Sequence, residues 1–413
     1  MRKLKGTNLE RCVICSATRT AVGSYLGSLK TVTPDHLAAI VIKEAVVRSN
    51  LEPNQVERVI LGNVLPNSEA PNIARVGALL AGMPEETPAF SVDMQCGSAL
   101  QAVRLATMEI QTGACEVVVA GGAESMSRAL YYLPPAVRYE GFRMGNQTLT
   151  DAFMRAVSQV QPPALYPNVN MGITAENVAA LHGISREQQD AFALDSQKKA
   201  CAAIASGRFK DEIVPVEVSD RKNSFIFEQD EYPKADATLE GLARLKPVFQ
   251  EDGSVTAGNA SGMNDGASAV VVMSEKKAKE LGVTPLVRIL QHSVTALDPR
   301  IMGLGPVTAI QSVLKQANLR IEDIDLFEIN EAFAVQSLGV LKVLDMFPGT
   351  PMYSRVNVNG GAVALGHALG SSGTRILTTL IYELKRRGGR YGVASLCIGG
   401  GQGIAILVEN IIR

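Results

Sequence analysis

The chain of 413 residues carries 40 basic and 41 acidic side chains, and a net charge of −1 argues against a general nucleic-acid or membrane-surface binder. Hydrophobic residues make up 46% of it and charged residues 20%, which provides a large core in two or three domains of ordinary size and argues against disorder. No apolar run approaches the roughly 18 residues that span a bilayer. The basic start, Met1-Arg2-Lys3-Leu4-Lys5, leads into no apolar segment of signal-peptide length, and Ile411-Ile412-Arg413 is not a peroxisomal tripeptide, so a cytosolic location is expected.

Arg11-Cys12-Val13-Ile14-Cys15-Ser16 reads as a first strand. Its Cys-x-x-Cys spacing also fits a redox pair, but such pairs sit at a helix start, and a core strand suits the apolar run better. Thr33-Pro34-Asp35 opens a helix to about Ser49, and Leu51 to Asn63 is a turn feeding a strand. From Ser91 the apolar-polar alternation breaks at Cys96-Gly97 and resumes at helical spacing through Leu100, Val103, Thr107 and Ile110. Cys96 therefore belongs at a strand-to-helix corner, where unpaired N–H groups favour a thiolate and can lower a thiol pKa of about 8.5 by one unit or more. A strand, Glu116 to Gly122, follows.

From about residue 126 to 263 this pattern is interrupted by Pro134-Pro135, Pro162-Pro163 and an amphipathic helix running from Ser185 to about Ser206. Ser185 and Gln188 form its capping box. The stretch is too long for a linker and reads as a lid or a cofactor-binding module. Beyond it the earlier pattern returns. Pro306 opens a helix, and Leu319 to Asn330 repeats Leu51 to Asn63. A strand Val356-Asn357-Val358-Asn359, a corner at Gly360-Gly361, a helix from about Gly370 to Arg387 and a strand Gly392 to Leu396 mirror the surroundings of Cys96. We infer a duplicated α/β unit. Residues 1–125 with 264–284 form one half, 285–413 the other, and 126–263 an inserted loop domain. The halves are expected to pack about a pseudo-twofold axis that brings equivalent corners to one cleft.

Four groups stand out as chemistry. Cys96 is a candidate nucleophile, His367 lies among glycines that permit close approach, Asn330-Glu331-Ala332-Phe333 follows an apolar strand, and Cys397 precedes Gly399-Gly400-Gly401, whose backbone N–H groups can bind an anion. Singly, each also fits a bland role: a buried cysteine, a structural histidine, a helix cap. The six cysteines are scattered and make no disulfide framework, and the four histidines show no metal-ligand spacing.

Together the sequences CGSAL, VTAGNASGMNDGA (Val255 to Ala267), NEAFA, GGAVALGHALGSSG and CIGGGQG, in this order, resemble the thiolase family over nearly the whole chain. Within it the likeness is greatest to the acetyl-CoA C-acetyltransferases. The resemblance implies a five-layered α-β-α-β-α fold of duplicated halves with an inserted loop domain. It implies reversible Claisen condensation of two acetyl-CoA to acetoacetyl-CoA and CoA, by a ping-pong mechanism through an acyl-Cys96 intermediate. In that scheme His367 accepts the Cys96 proton and donates to the thioester oxygen, Asn330 holds a water completing that oxyanion hole, and Cys397 is the general base at Cα. A thiol near neutral pKa suits such reversible proton transfer. The N–H groups of Cys96 and Gly399 form the second oxyanion hole. Ser261 matches the contact to the pantetheine arm, Ala257 and Phe249 line that tunnel, Lys234 lies near the adenosine and phosphates, and Met171 and Phe333 wall the acyl pocket. Coenzyme A thioesters enter as substrates, with no cofactor, metal, nucleic-acid or membrane partner, and the assembly is a homodimer or homotetramer.

Three departures from the family pattern matter, and two of them fall in the lid over the acyl pocket. Asn170-Met171-Gly172 stands where acetoacetyl-CoA thiolases usually have His-Met-Gly, Ala368 follows His367 where proline is usual, and the segment from Leu149 to Asn170 is longer than expected. A degradative 3-ketoacyl-CoA thiolase with longer substrates therefore stays open as an alternative. Decarboxylating condensing enzymes pair their nucleophile with two histidines, or a histidine and an asparagine, whereas here Cys397 supplies the base. A non-catalytic acyl-CoA or lipid carrier predicts loss of Cys96, His367 or Cys397. A thiol-redox protein needs two cysteines within disulfide reach, which only Cys96 and Cys397 could meet.

Overall fold

A computed structural model describes residues 9–220 and 223–411. Met1-Arg2-Lys3-Leu4-Lys5 and Ile412-Arg413, considered above for targeting, lie outside the described residues. The large sheet runs in the order Leu326–Ile329, Tyr391–Ile398, Gln402–Asn410, Val287–Ala296, Cys12–Thr20, Asn264–Ser274, Val117–Ser125, Arg58–Gly62, Ala89–Val92.

This path is two copies of one pattern. In the first half, Asn264–Ser274 lies antiparallel between Cys12–Thr20 and Val117–Ser125, and Arg58–Gly62 runs parallel to both Val117–Ser125 and Ala89–Val92. In the second, Gln402–Asn410 lies antiparallel between Val287–Ala296 and Tyr391–Ile398, and Leu326–Ile329 runs parallel to Tyr391–Ile398. The halves join edge to edge only where Cys12, Val13 and Ile14 face Ile289, Arg288 and Val287.

Side-chain alternation along each strand feeds two cores at once, which is what makes layers. Val59, Leu61, Val117 and Val119 point to one side and pack with the helix Pro34–Arg48. Ile60, Val118 and Ala120 point to the other, where they meet the helices Ser98–Gln111 and Ser372–Arg387 together with Ala394, Leu396 and Ile406 of the second half. On the far side Phe327, Ile329, Val393 and Ala405 pack with Gly305–Ala317 and Ala334–Val343. The result is helices, sheet, a shared central pair of helices, sheet, helices: the expected α-β-α-β-α layering. Cys12 and Cys15 are buried free thiols on the first strand, as the core-strand reading requires.

One expected element is absent. Val356 to Asn359 does not form a strand; it contributes a single bridge, Phe327 with Val356. Asn357 turns to a left-handed φ of 42°. Its side chain then takes over the strand's role, accepting from Ile329 N at 2.9 Å and donating to Ile329 O at 2.8 Å. An amide side chain can copy a peptide unit, so the ladder ends one residue after it begins.

Between Ser125 and Asn264 lie the helices Met171–His182 and Arg186–Ala205 and two short two-stranded ribbons. The second helix starts at the capping box of Ser185 and Gln188. Among the described residues no helix is long and apolar enough to cross a membrane.

The halves meet backbone to backbone. A Cβ on Gly122 would overlap the carbonyl oxygen of Gly370, on the far half, and would also come within 2.9 Å of the Gly62 carbonyl. Neither neighbour is a flexible side chain, so relief requires strand movement. Gly122→Ala is expected to cost about 3 kcal/mol of stability, read as a lower midpoint in urea unfolding.

Candidate active site

The corner carrying Cys96 is built by its neighbours. After Val92 the chain reverses through Gln95, at φ 48°, and Gly97 caps the helix Ser98–Gln111. Ser98 Oγ donates to Gln95 O at 2.6 Å and accepts from Met94 N at 2.8 Å, which locks the turn. A side chain on Gly97 would come within 2.5 Å of Ile398 Cδ1, so the glycine admits the Cys397-Ile398-Gly399 strand end of the other half. The N–H groups of Cys96 and Gly399 lie close enough to the Cys96 sulfur to favour its ionised form.

The expected thiolate at this corner is not what the environment favours. Burial pushes the Cys96 thiol up to about 11, and Asp93 and Glu124 add to the rise, against the two N–H donors that lower it. Desolvation outweighs the helix terminus, so the resting group is a thiol that needs a base. Cys397, fully buried, is likewise raised well above its ordinary value, first by burial and then by Cys96. The near-neutral pKa expected for it is therefore also corrected. That same coupling places the two sulfurs within electrostatic reach of each other.

His367 is the base the thiol lacks. Burial, with the Arg375 guanidinium, holds its imidazole down at about 3, so it is neutral at physiological pH and can accept a proton. Its tautomer follows from its neighbours. Ser372 Oγ donates to Ala368 O at 2.9 Å, so at 2.6 Å from Nδ1 the hydroxyl accepts from Nδ1–H. Nε2 is left with the lone pair, 3.4 Å from Asn330 Nδ2. Asn330 is buried, and its Oδ1 has no partner among the described residues. The loop carrying His367 is held by the other half: Asn264 Oδ1 accepts from His367 N at 2.9 Å, and Ser268 Oγ donates to Ser371 O at 2.8 Å. Leu369, from the same loop, joins Val64 and Met126 in an apolar cluster against which Cys96 packs.

The asparagine loop is anchored one residue on. Buried Glu331 accepts from Ser196 Oγ at 2.7 Å, Asn357 Nδ2 at 2.8 Å and Val363 N at 3.2 Å. Through Ser196 this ties the inserted region to the site.

Most of the remaining expected residues fall on segments that pack beside these groups. The segment Ala257 to Met263 runs beside the asparagine loop, with Ser261 N donating to Ala332 O at 3.0 Å and Ala260 bridging Phe333. It ends where Met263 bridges His367. Phe249 packs edge-on to Phe333 at 6.2 Å between centroids and presses on Gly172. Met171 Sδ lies 3.5 Å from where a Gly399 Cβ would be. Lys234 is exposed and stands apart, its Nζ 5.9 Å from the centroid of Tyr232, whose ring packs on Gly262. Asn170 caps the helix Met171–His182 through Ile173 N. The lengthened segment folds as a short helix, Ala152–Ser158, and then lays Val160 over Gly399 and Gly400. Beside it a cavity of about 340 Å³ is lined by Val64, Leu65, Leu130, Tyr132, Arg155 and Gln159. Among the described residues no group of three or more His, Cys, Asp or Glu side chains is arranged to hold a metal ion.

Two family models match this chain: thiolase N-terminal domain over residues 12–276 and thiolase C-terminal domain over residues 283–410. The chain belongs to the thiolase family. Similar relatives include acetyl-CoA acetyltransferases of Chromobacterium violaceum, 49% identical over 96% of this chain and 99% of that one, and of Escherichia coli K12, 48% identical over 98% and 100%. Among solved structures, the acetyl-CoA acetyltransferase of Bacillus anthracis superposes with a TM-score of 0.93 at 46% identity, covering 98% of this chain and 99% of that one. Human mitochondrial 3-ketoacyl-CoA thiolase gives 0.92 at 44%, covering 98% and 100%. In this thiolase-family enzyme, Ser372 and the anchoring role of Glu331 are not visible in the sequence pattern. Each of the two is a polar residue inside a buried stretch, the one signal that could have flagged them.

Two outcomes follow. With a thiol near 11 and no resident ion pair, inactivation by iodoacetamide should accelerate about tenfold per pH unit from neutrality upward, with no plateau below pH ~9. Ser372→Ala removes the Nδ1–H acceptor and should lower kcat about 10- to 100-fold while leaving the thermal midpoint nearly unchanged.

Proposed function

We propose that this chain catalyses the reversible condensation of two acetyl-CoA to acetoacetyl-CoA and CoA, a ping-pong reaction through acyl-Cys96. The observation that carries this reading is the convergence of Cys96 and Cys397, one from each half, with the Gly399 N–H close to the Cys96 sulfur and His367 Nε2 in its acceptor form.

The protonation states suggest a circuit. His367 Nε2 takes the Cys96 proton, and the thiolate attacks the acetyl carbonyl, whose developing charge meets the Cys96 and Gly399 N–H groups. The C–S bond to CoA breaks, and the departing thiolate takes the proton of Cys397. Cys397 is thereby a thiolate when the second acetyl-CoA arrives, and it removes a Cα proton. The carbanion attacks acetyl-Cys96, the new C–C bond forms, the Cys96–acyl bond breaks, and Cys96 recovers its proton from His367. While protonated, His367 donates to the thioester oxygen of the second substrate, alongside a water held by Asn330, whose unpartnered Oδ1 suits that role. High resting pKa values at both sulfurs fit this scheme, since neither is wasted as a free thiolate between turnovers.

Residues 126–263 serve in this reading as the loop domain that binds CoA. Ser261, Ala257 and Phe249 border the pantetheine path, Met171 and Phe333 wall the acyl pocket, and Lys234 attends the phosphates. All six cysteines are free, which suits a reducing compartment such as the cytosol. The half-buried edge strand Ala89–Val92 offers a pairing surface for a homodimer or homotetramer. A second reading, cleavage of longer 3-ketoacyl-CoA thioesters, is favoured by the cavity beyond Val64 and Leu65, directly beside the cluster that Cys96 packs on.

Incubation with acetyl-CoA should add one acetyl group to Cys96 by intact mass; Cys96→Ala should add none. Cys397→Ala should still acylate but lose at least about 10²-fold in condensation. An unmodified parent would overturn the proposal. Thiolysis rates across a homologous series of 3-ketoacyl-CoA thioesters separate the two readings: rates falling beyond acetoacetyl-CoA support the first, rising rates the second.

A further inference from the structure

Glu124 closes an otherwise uncharged buried strand, and its carboxylate is 1% exposed. It makes no ion pair among the described residues. Four N–H donors surround it instead. Oε1 accepts from Asn63 Nδ2 at 2.8 Å and Leu65 N at 3.2 Å, and Oε2 accepts from Val64 N and Gly370 N, each at 2.9 Å. Burying a carboxylate without a cation is costly even when it is hydrogen-bonded, and burial pushes this one up to about 7 against its N–H donors, so global stability is a poor reason for it.

Its partners suggest the reason. Val64 and Leu65 belong to the wall against which Cys96 packs. Gly370 lies between His367 and Ser372, on the loop that supplies the imidazole and its hydroxyl acceptor. One oxygen atom therefore bridges the cysteine side of the cleft to the histidine side. The bridge is tight: a Cβ on Gly370 would sit 2.8 Å from Oε2 and 2.9 Å from Asn63 Cα.

We propose that Glu124 is a positioning residue for acyl transfer, holding the Cys96 wall and the His367 loop at one fixed separation through Oε2. The proposal rests on the thiolase reading of the site. A displacement of about 1 Å between a nucleophile and its base can cost about 10²-fold in rate. The alternative, an electrostatic role, has the opposite sign. Glu124 is among the charges that oppose Cys96 ionisation, so neutralising it would assist thiolate formation if charge were all that mattered.

Glu124→Gln keeps the size and removes the charge, but sets an amide N–H₂ against backbone donors. The experiment is single-turnover acetylation of Cys96 by acetyl-CoA, followed by intact mass, with kcat, KM and the thermal midpoint of the same preparations. The expected result is acetylation and kcat both slowed about 10- to 100-fold, with KM for acetyl-CoA within about threefold and a cooperative thermal transition retained. Acetylation at the parental rate or faster would overturn the proposal, as would a loss fully accounted for by an unfolded fraction. If Glu124→Gln does not fold, Glu124→Asp retains the charge on a shorter arm that cannot span both loops. It should show the same rate loss, and parental rates would again overturn it. A parent that fails to acetylate would instead refute the thiolase reading, so the two failures are distinguishable.

Discussion

The site depends on how closely two helix starts can approach. Ser98–Gln111 and Ser372–Arg387 begin against each other in the central layer, and the contact is made by main chain. A Cβ at Gly62 would lie 2.5 Å from Ala99 N and 2.7 Å from Gly370 O, and one at Gly373 would lie 2.5 Å from Leu100 N. Glycine at these positions sets the separation of the halves at backbone thickness. Residues that are far apart in sequence then share one small volume: Cys96 from one corner, His367 and Cys397 from the other copy.

That closeness has an electrostatic price, and the reactive groups show it. All three reside where the charged form is disfavoured: the thiol of Cys96 pushed up to about 11, that of Cys397 higher still, the imidazole of His367 held at about 3. A helix terminus and two N–H donors do not offset desolvation here. The two thiols and the imidazole are therefore uncharged at rest, with the carboxylates of Asp93 and Glu124 and the Arg375 guanidinium acting on them from nearby. Fixed donors aimed at a transient charge act most strongly in such surroundings.

Much of this was legible in the residues. The duplicated pattern, the corner at Cys96, the capping box at Ser185 and the layered fold follow from periodicity and punctuation, which are local. The thiolase motifs then located His367, Asn330 and Cys397. What local signals could not provide was the partner of each group. Ser372 fixes a tautomer because its proton is committed to Ala368 O; Asn357 ends a strand because its side chain imitates a peptide; Glu124 bridges halves because Gly370 arrives from 246 residues away. These are contacts between distant segments, and a single sequence does not encode them visibly. At Cys96 the helix terminus is a neighbour in sequence, whereas the desolvation that outweighs it comes from distant segments.

Asn357 has a consequence for assembly. The repeat gives both halves an outer margin, but the amide of Asn357 occupies the last strand's place in the second, while the first ends in an ordinary strand, Ala89–Val92. A strand arriving at the margin of the second half would find the Ile329 N–H and C=O already taken, so the two margins are not equivalent surfaces for strand addition.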